Sequence, residues 1–167
     1  MNFLIAVQET GLATWIRESS SVWAYPSIIF LHAAGLSLVV GLNVVIDLSI
    51  LGFAPGVELA PMEKLFKLMA IGFWVNLVSG VLLTMADAAT MLLNSIFWIK
   101  MALIGLALAD LFLLKRKVFR DPLLGKRPVQ ADAKFLAVLS LILWAGAITA
   151  GRLTAYLGAN PGLLAGL

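Results

Sequence analysis

His32 is the only histidine in the chain, and its nearest charged neighbours in sequence are Glu18 and Asp47. A neutral imidazole inside so long an apolar run can ligate haem iron, hydrogen-bond a quinone carbonyl or carry a proton. It can also be a packed side chain bonded to a neighbouring hydroxyl or amide. Tyr25, Ile29, Gly35, Val39 and Asn43 share its face by helical spacing. Lys100 and Arg152 each stand about one turn inside an apolar run of their own. Tyr156 lies at i+4 from Arg152 and Thr149 at i−3, on the same face. Asp87 is the acid placed to neutralise the two cations. Two cations against one acid leave room for an anion: a haem propionate, a lipid headgroup or a partner's carboxylate. Snorkelling to the headgroups is the alternative for both long side chains. The candidate cofactor site is therefore His32, Arg152, Lys100, Tyr25 and Tyr156, with haem b or quinone as the cofactor. His32 is the candidate iron ligand. Met85, Met101 or a partner subunit are the candidate sources of a second ligand.

Two acids, Asp47 and Asp110, fall in other parts of the apolar runs. Ionisable groups at membrane depth are costly, so each raises a functional question. Salt bridges to Lys64, Lys67 or the basic run at 115–117 are the expectation for both. A proton path from Asp110 through Asn76 or Asn43 to His32 is the more elaborate reading. The chain carries no Gly-rich phosphate loop, no HExxH and no Cys-His metal spacing. Nucleotide hydrolysis and zinc proteolysis are set aside.

The elements that must position these residues are long and apolar. The chain has 167 residues, of which 62% are hydrophobic and 13% charged, with a mean hydropathy of +1.01. A soluble domain would be about 25% charged. A membrane-crossing helix needs about 20 mostly apolar residues, and four such runs occur, at about 22–51, 65–85, 96–114 and 135–157. Residues 2–18 are too polar to span and read as an amphipathic segment lying in the interface. Ser19-Ser20-Ser21 offers N-cap oxygens, and Pro26 suits a first helical turn. Pro55-Gly56 marks a turn, 87–94 a short joint, and 115–132 the one substantial polar loop. Asn160-Pro161-Gly162 ends the last run. The start lacks a basic region and a small-residue cleavage site, so no cleaved signal peptide is expected. With no cysteine, there is no disulfide, thiolate metal site or thioether-linked haem.

The fold class expected is all-α: an integral membrane four-helix up-down-up-down bundle in a single domain, 1–167. Lys64, Lys67, Lys115, Arg116, Lys117, Arg120, Lys126, Arg127 and Lys134 fall on one side, against Arg17, Lys100 and Arg152 on the other. That bias makes the 115–132 loop cytoplasmic and turns both termini outward, which is the periplasm if the host is bacterial. It also accounts for the net charge of +3 without nucleic acid. Small residues at i, i+4 spacing mark packing faces: Gly72, Asn76, Gly80, Thr84 and Ala88; Gly105 and Ala109; Gly146 and Ala150; Ala147 and Gly151; Ser37 and Gly41. Trp23, Trp98 and Tyr156 fit an aromatic belt.

Several patches carry a likeness: Trp23-Ala24-Tyr25-Pro26, Leu31-His32, Ser79-Gly80-Val81-Leu82-Leu83, Phe97-Trp98-Ile99-Lys100 and Ala150-Gly151-Arg152-Leu153-Thr154-Ala155-Tyr156. The chain resembles a family of small four-helix bacterial inner-membrane proteins whose domain has no assigned function. Its Phe-x-x-Lys opening at Phe97 is similar to that of copper-resistance membrane proteins, and distantly to b561-type cytochromes. The resemblance implies the fold and a bacterial membrane. Three functions fit these residues. The first is a small subunit of a larger redox or electron-transport assembly, contacting haem b or quinone in its periplasmic half. The second is a non-catalytic anchor or assembly subunit, and the third a proton-coupled transporter. Expected partners are membrane lipids and other membrane or periplasmic subunits, or a second copy.

Overall fold

A computed structural model describes residues 2–54, 56–122, 124 and 128–159 of the chain. It contains seven helices and, among the described residues, no strand. Two short helices come first, α1 (Asn2–Gln8) and α2 (Gly11–Glu18). The long ones are α3 (Tyr25–Leu51), α4 (Leu65–Ala86), α6 (Ser95–Leu114) and α7 (Ala131–Ala159), and α5 (Ala88–Leu93) joins α4 to α6. Four stretches are long and apolar enough to cross a membrane: Tyr25–Leu51, Ala60–Ala86, Ser95–Phe119 and Ala131–Tyr156. At about 1.5 Å per residue each exceeds a hydrocarbon core of about 30 Å. Asn160-Pro161-Gly162, Pro55, Lys126 and Arg127 lie outside the described residues.

Local chemistry sets most of the boundaries. Pro26 sits in the first turn of α3, where its missing N–H costs little. No side chain caps that end, so the serines before it do not act as its caps. Gly52 ends α3 in the left-handed region at φ 92°, and the Phe53 N–H returns to the Leu48 carbonyl at 2.9 Å. Asn94 caps α6, its Oδ1 accepting from the Ile96 N–H at 2.9 Å. The joint expected at 87–94 is itself helical over Ala88–Leu93. The basic loop begins as a helical continuation, Lys115–Phe119.

The long helices form an arc in the order α4, α3, α7, α6, with the tightest packing in the pairs α3–α4 and α6–α7. Gly35 of α3 and Gly72 of α4 let two backbones nearly touch: a Cβ built on Gly35 would lie 2.8 Å from the Gly72 carbonyl oxygen. The Gly72, Asn76, Gly80 stripe faces α3 as expected, and Gly146 and Gly151 face α6. Two other stripes do not pack as expected. A Cβ on Gly41 or Gly105 would meet nothing within 4 Å, and Ser37 and Ala109 are exposed too. Both stripes face away from the bundle. The buried small residues of those helices are Gly35 and Ala107 instead.

Two apolar clusters stack along the bundle. One joins Ile46, Ile50, Met69, Leu114, Val118 and Ala137. The next joins Val39, Ala107, Leu143, Trp144 and Ala147. At the first cluster the ends of the arc meet, with the Phe66 and Phe119 rings edge-on at 5.1 Å. We call this the basic end, because Lys115 lies over Phe66 at 4.9 Å and Lys117 pairs with Asp132. Towards the other end α4 and α6 part. There α2 buries Ala13 and Ile16, and Ile16 packs with Ile28 and Ala86. The expected interfacial segment is thus a pair of short helices laid across the open end.

Candidate functional site

The gap between α4 and α6 holds two adjoining cavities of about 510 Å³ and 420 Å³. Both are lined by His32, Asn76, Gly80, Thr84, Lys100 and Ile104. Such volumes fall in the range of small-molecule and cofactor sites, about 300–1,000 Å³.

His32 reaches this space from α3 and is held by α4. Its Nδ1 lies 3.0 Å from the Asn76 carbonyl oxygen and 3.2 Å from the Ser79 hydroxyl. A carbonyl can only accept, so in the neutral ring Nδ1 carries the proton and donates it. The Asn76 side chain points back, its Nδ2 donating to the His32 carbonyl at 2.8 Å. Its 3.3 Å approach to the His32 Nδ1 is the weaker contact. The Ser79 hydroxyl donates to the Val75 carbonyl at 2.6 Å, so it is not the donor to the ring. Nε2 is left as an unprotonated nitrogen with no hydrogen bond to the described residues. Gly80 makes the ring's seat: a Cβ there would stand 3.0 Å from Cε1 and 3.3 Å from Nδ1 of His32.

Lys100 approaches from the opposite wall. Its aliphatic stem passes Gly151 of α7, with Cδ 3.8 Å from where a Cβ would be. Its Nζ lies 5.7 Å from the centre of the Phe97 ring, a cation–π distance. Arg152 and Tyr25 line the larger cavity, as do Arg17 and Asp87. Met85 and Met101 line the smaller one.

No family model, curated protein or solved structure matches this chain. The site is therefore read from its own geometry.

Four of the five residues singled out in the sequence meet around the larger cavity: Tyr25, His32, Lys100 and Arg152. Tyr156 does not line it. Its ring packs 5.8 Å from the Arg152 guanidinium carbon, holding that side chain rather than the cavity. Asp87 lines the same cavity as the cations but forms no ion pair with them. The ion pairs among the described residues are Arg17–Glu18 and Lys117–Asp132. Arg17 instead donates to the carbonyls of Gln8 and Ala86, at 3.3 Å each. That ties α2 to the end of α4 and brings a third cation to the cavity. Asn76, Ser79 and Gly80 complete the site, though the sequence marked Asn76 and Gly80 chiefly as a packing stripe.

The salt bridges expected for Asp47 and Asp110 are absent among the described residues. Asp47 accepts from the Asn43 amide at 2.6 Å, and neither oxygen of Asp110 has a partner. The reason is orientation. Asp110 shares its face with Ala107 and Leu114, which are buried inside the bundle, so it cannot reach the basic surface.

Proposed function

We propose that this protein is a small membrane subunit of a redox assembly, with haem b or a quinone seated in the cavity at its open end. One observation carries the reading: the Asn76 carbonyl fixes the tautomer of a His32 ring that lines the cavity, and leaves Nε2 unprotonated and without a hydrogen bond to the described residues. Metal-bound histidines commonly donate their other ring N–H to a carbonyl, which orients the ring and raises its basicity. His32 has that arrangement without a metal's help.

In this reading His32 would hold the iron from α3, and Met85 of α4 or Met101 of α6 would offer sulfur. Lys100 and Arg152, with no carboxylate partner among the described residues, would hold the anionic propionates. When bound, haem supplies one-electron transfer. The protein orients it, shields it with the apolar walls of α4 and α6, and neutralises its acidic edge. The quinone reading rests on the cavity's position. Val81, Trp98 and Met101 line it and are also exposed on the outer surface of the helices, so a lipid-soluble ligand has a sideways approach. The unprotonated Nε2 would then accept a hydrogen bond from a quinol hydroxyl.

The setting belongs to the same proposal. The basic residues gathered at one end support a cytoplasmic position for that end, and with it we propose an up-down-up-down order and both termini in the periplasm of a bacterial inner membrane. Opposed contacts support the order: Ile46 and Ile50 cluster with Met69, while Ile28 clusters with Ala86. The likeness to the four-helix inner-membrane family, and distantly to b561-type cytochromes, agrees with this setting.

The test is an absorption spectrum of the protein solubilised gently with its native partners, oxidised and then dithionite-reduced. Haem gives a Soret band with α and β bands on reduction, and His32→Ala removes them while the bundle stays folded. Bands retained in that variant take His32 out of the role. A flat spectrum rejects haem; quinone in the solvent extract of the wild type, lost in His32→Ala, then supports the second ligand. A flat spectrum with no quinone moves the protein to an anchoring or assembly role.

A further inference from the structure

Between the two stacked apolar clusters lies a layer of polar side chains that the cavity does not include. It consists of Asn43 and Asp47 on α3, Asp110 on α6, and Ser140 on α7, with Trp144 beside them. Each is at most 4% exposed. The Asn43 amide is the hub, its Nδ2 donating to Asp47 Oδ2 and to Ser140 Oγ, both at 2.6 Å. That uses both amide hydrogens. Four buried oxygens then have no donor, Asn43 Oδ1, Asp47 Oδ1 and both oxygens of Asp110, against one unpaired buried donor, the Trp144 indole N–H, so acceptors remain in surplus. Asp110 stands at the same level by helix register: Ala107 and Leu114 on its face belong to the two clusters, as Val39 and Ile50 do on either side of Asn43 and Asp47.

The charges do not balance either. No titratable group from α4 or α7 faces the layer: α4 brings Met69, and α7 brings Ser140, Leu143 and Trp144. The described cations of the basic end are turned elsewhere. Lys115 lies over Phe66, Arg116 over Phe112, Lys117 pairs with Asp132, and Lys64 and Lys67 are exposed. Two carboxyl groups thus stand inside a membrane bundle, sealed above and below by apolar side chains. Buried charge of one sign persists only if it is neutralised. Surplus acceptor oxygens from carboxylates and an amide are the ligand set of a hard cation, and equally of a proton shared between acids.

We propose that this layer binds a small monovalent cation, a proton or a sodium ion, between Asp47 and Asp110. The two sources share one chemistry: a desolvated positive charge held by carboxyl oxygens. The site is separate from the haem or quinone site and stands without it.

The experiment uses the full chain in lipid nanodiscs at neutral pH, in sodium-free choline chloride and in sodium chloride. Infrared spectra report whether the carboxyl groups are protonated, and thermal unfolding reports sodium binding. If the cation is a proton, a protonated-carboxyl band is present in choline buffer, and Asp47→Asn or Asp110→Asn removes it. If it is sodium, sodium chloride raises the unfolding midpoint over choline chloride, by about 5 °C or more at about 100-fold excess over the dissociation constant. Asp110→Asn abolishes that rise. Carboxyl groups that are ionised in choline buffer, with a midpoint indifferent to sodium, overturn the proposal: water alone then solvates them. Should Asp110→Asn fail to fold, Asp110→Glu, which keeps the carboxyl group and shifts its band, carries the assignment.

Discussion

Replacing Gly35 by alanine tests the crossing on which the His32 site is hung. The added Cβ would lie 2.7 Å from the Asn76 nitrogen, 2.8 Å from the Gly72 carbonyl oxygen and 3.1 Å from the Asn76 Cα. All three are backbone atoms of α4 and cannot swing aside. Relaxed contact needs about 3.5 Å, so α4 must retreat by about 0.7 Å. The bonds from α3 to Asn76, now 3.0 Å at the ring and 2.8 Å at the His32 carbonyl, would stretch to about 3.5 Å or more and largely fail. Overpacking of this kind costs about 1–3 kcal/mol. Alanine also gains about 1 kcal/mol over glycine in a helix, so the comparison must cancel that term. Gly41→Ala does so, because it lies on the same helix with open space where its Cβ would go. Thermal unfolding in nanodiscs, followed by tryptophan fluorescence, should place Gly35→Ala about 5 °C below Gly41→Ala. Trp144, at 3% exposure, is the internal reporter. If Gly35→Ala unfolds at or above Gly41→Ala, the close crossing is not what positions the site.

Gly80→Ala should act on the site and spare the fold. Its Cβ would press on an imidazole, which can turn away, rather than on backbone. The ¹⁵N signals of His32 should move away from the tautomer protonated at Nδ1 while the unfolding midpoint stays within about 2 °C of wild type; an unchanged tautomer refutes the seat assigned to Gly80. Asn43→Ala should destabilise strongly, because it strips the donors from Asp47 and Ser140 at 0% exposure. A loss of about 2 kcal/mol or more is expected from the same unfolding assay, and a loss below about 0.5 kcal/mol refutes the bridging role.

The four long apolar helices and the place of His32 along the first of them were legible because they depend only on local composition. Helix ends fell within a few residues where a proline, glycine or asparagine marks them, as at Pro26, Gly52 and Asn94. The rotation of each helix about its axis was not. Gly35 has Val39, not a small residue, four positions on, so spacing passed over it in favour of Ser37 and Gly41. Its partner, Gly72, is in another helix, and only docking reveals the pair. Tyr156 was placed correctly beside Arg152 along the helix, yet the face they share at the end of α7 does not turn fully into the cavity. For Asp110 the signal was present: Ala107 and Leu114 share its face, and a stripe that apolar on one side of an acid points inward. Proximity in sequence to Lys115 suggested the surface instead.

The bundle is shut at its basic end by Phe66, Phe119 and the cluster beneath them, and parted at the other. A cavity closed at one end behaves differently from a channel. A ligand that enters and leaves through the gap between α4 and α6 meets the same barrier both ways, so narrowing that gap retards arrival and departure by one common factor. Residence time would lengthen while equilibrium occupancy stayed put. Kinetics and affinity can therefore be tuned by different residues here, the door by Val81 and Trp98, the grip by His32 and Lys100.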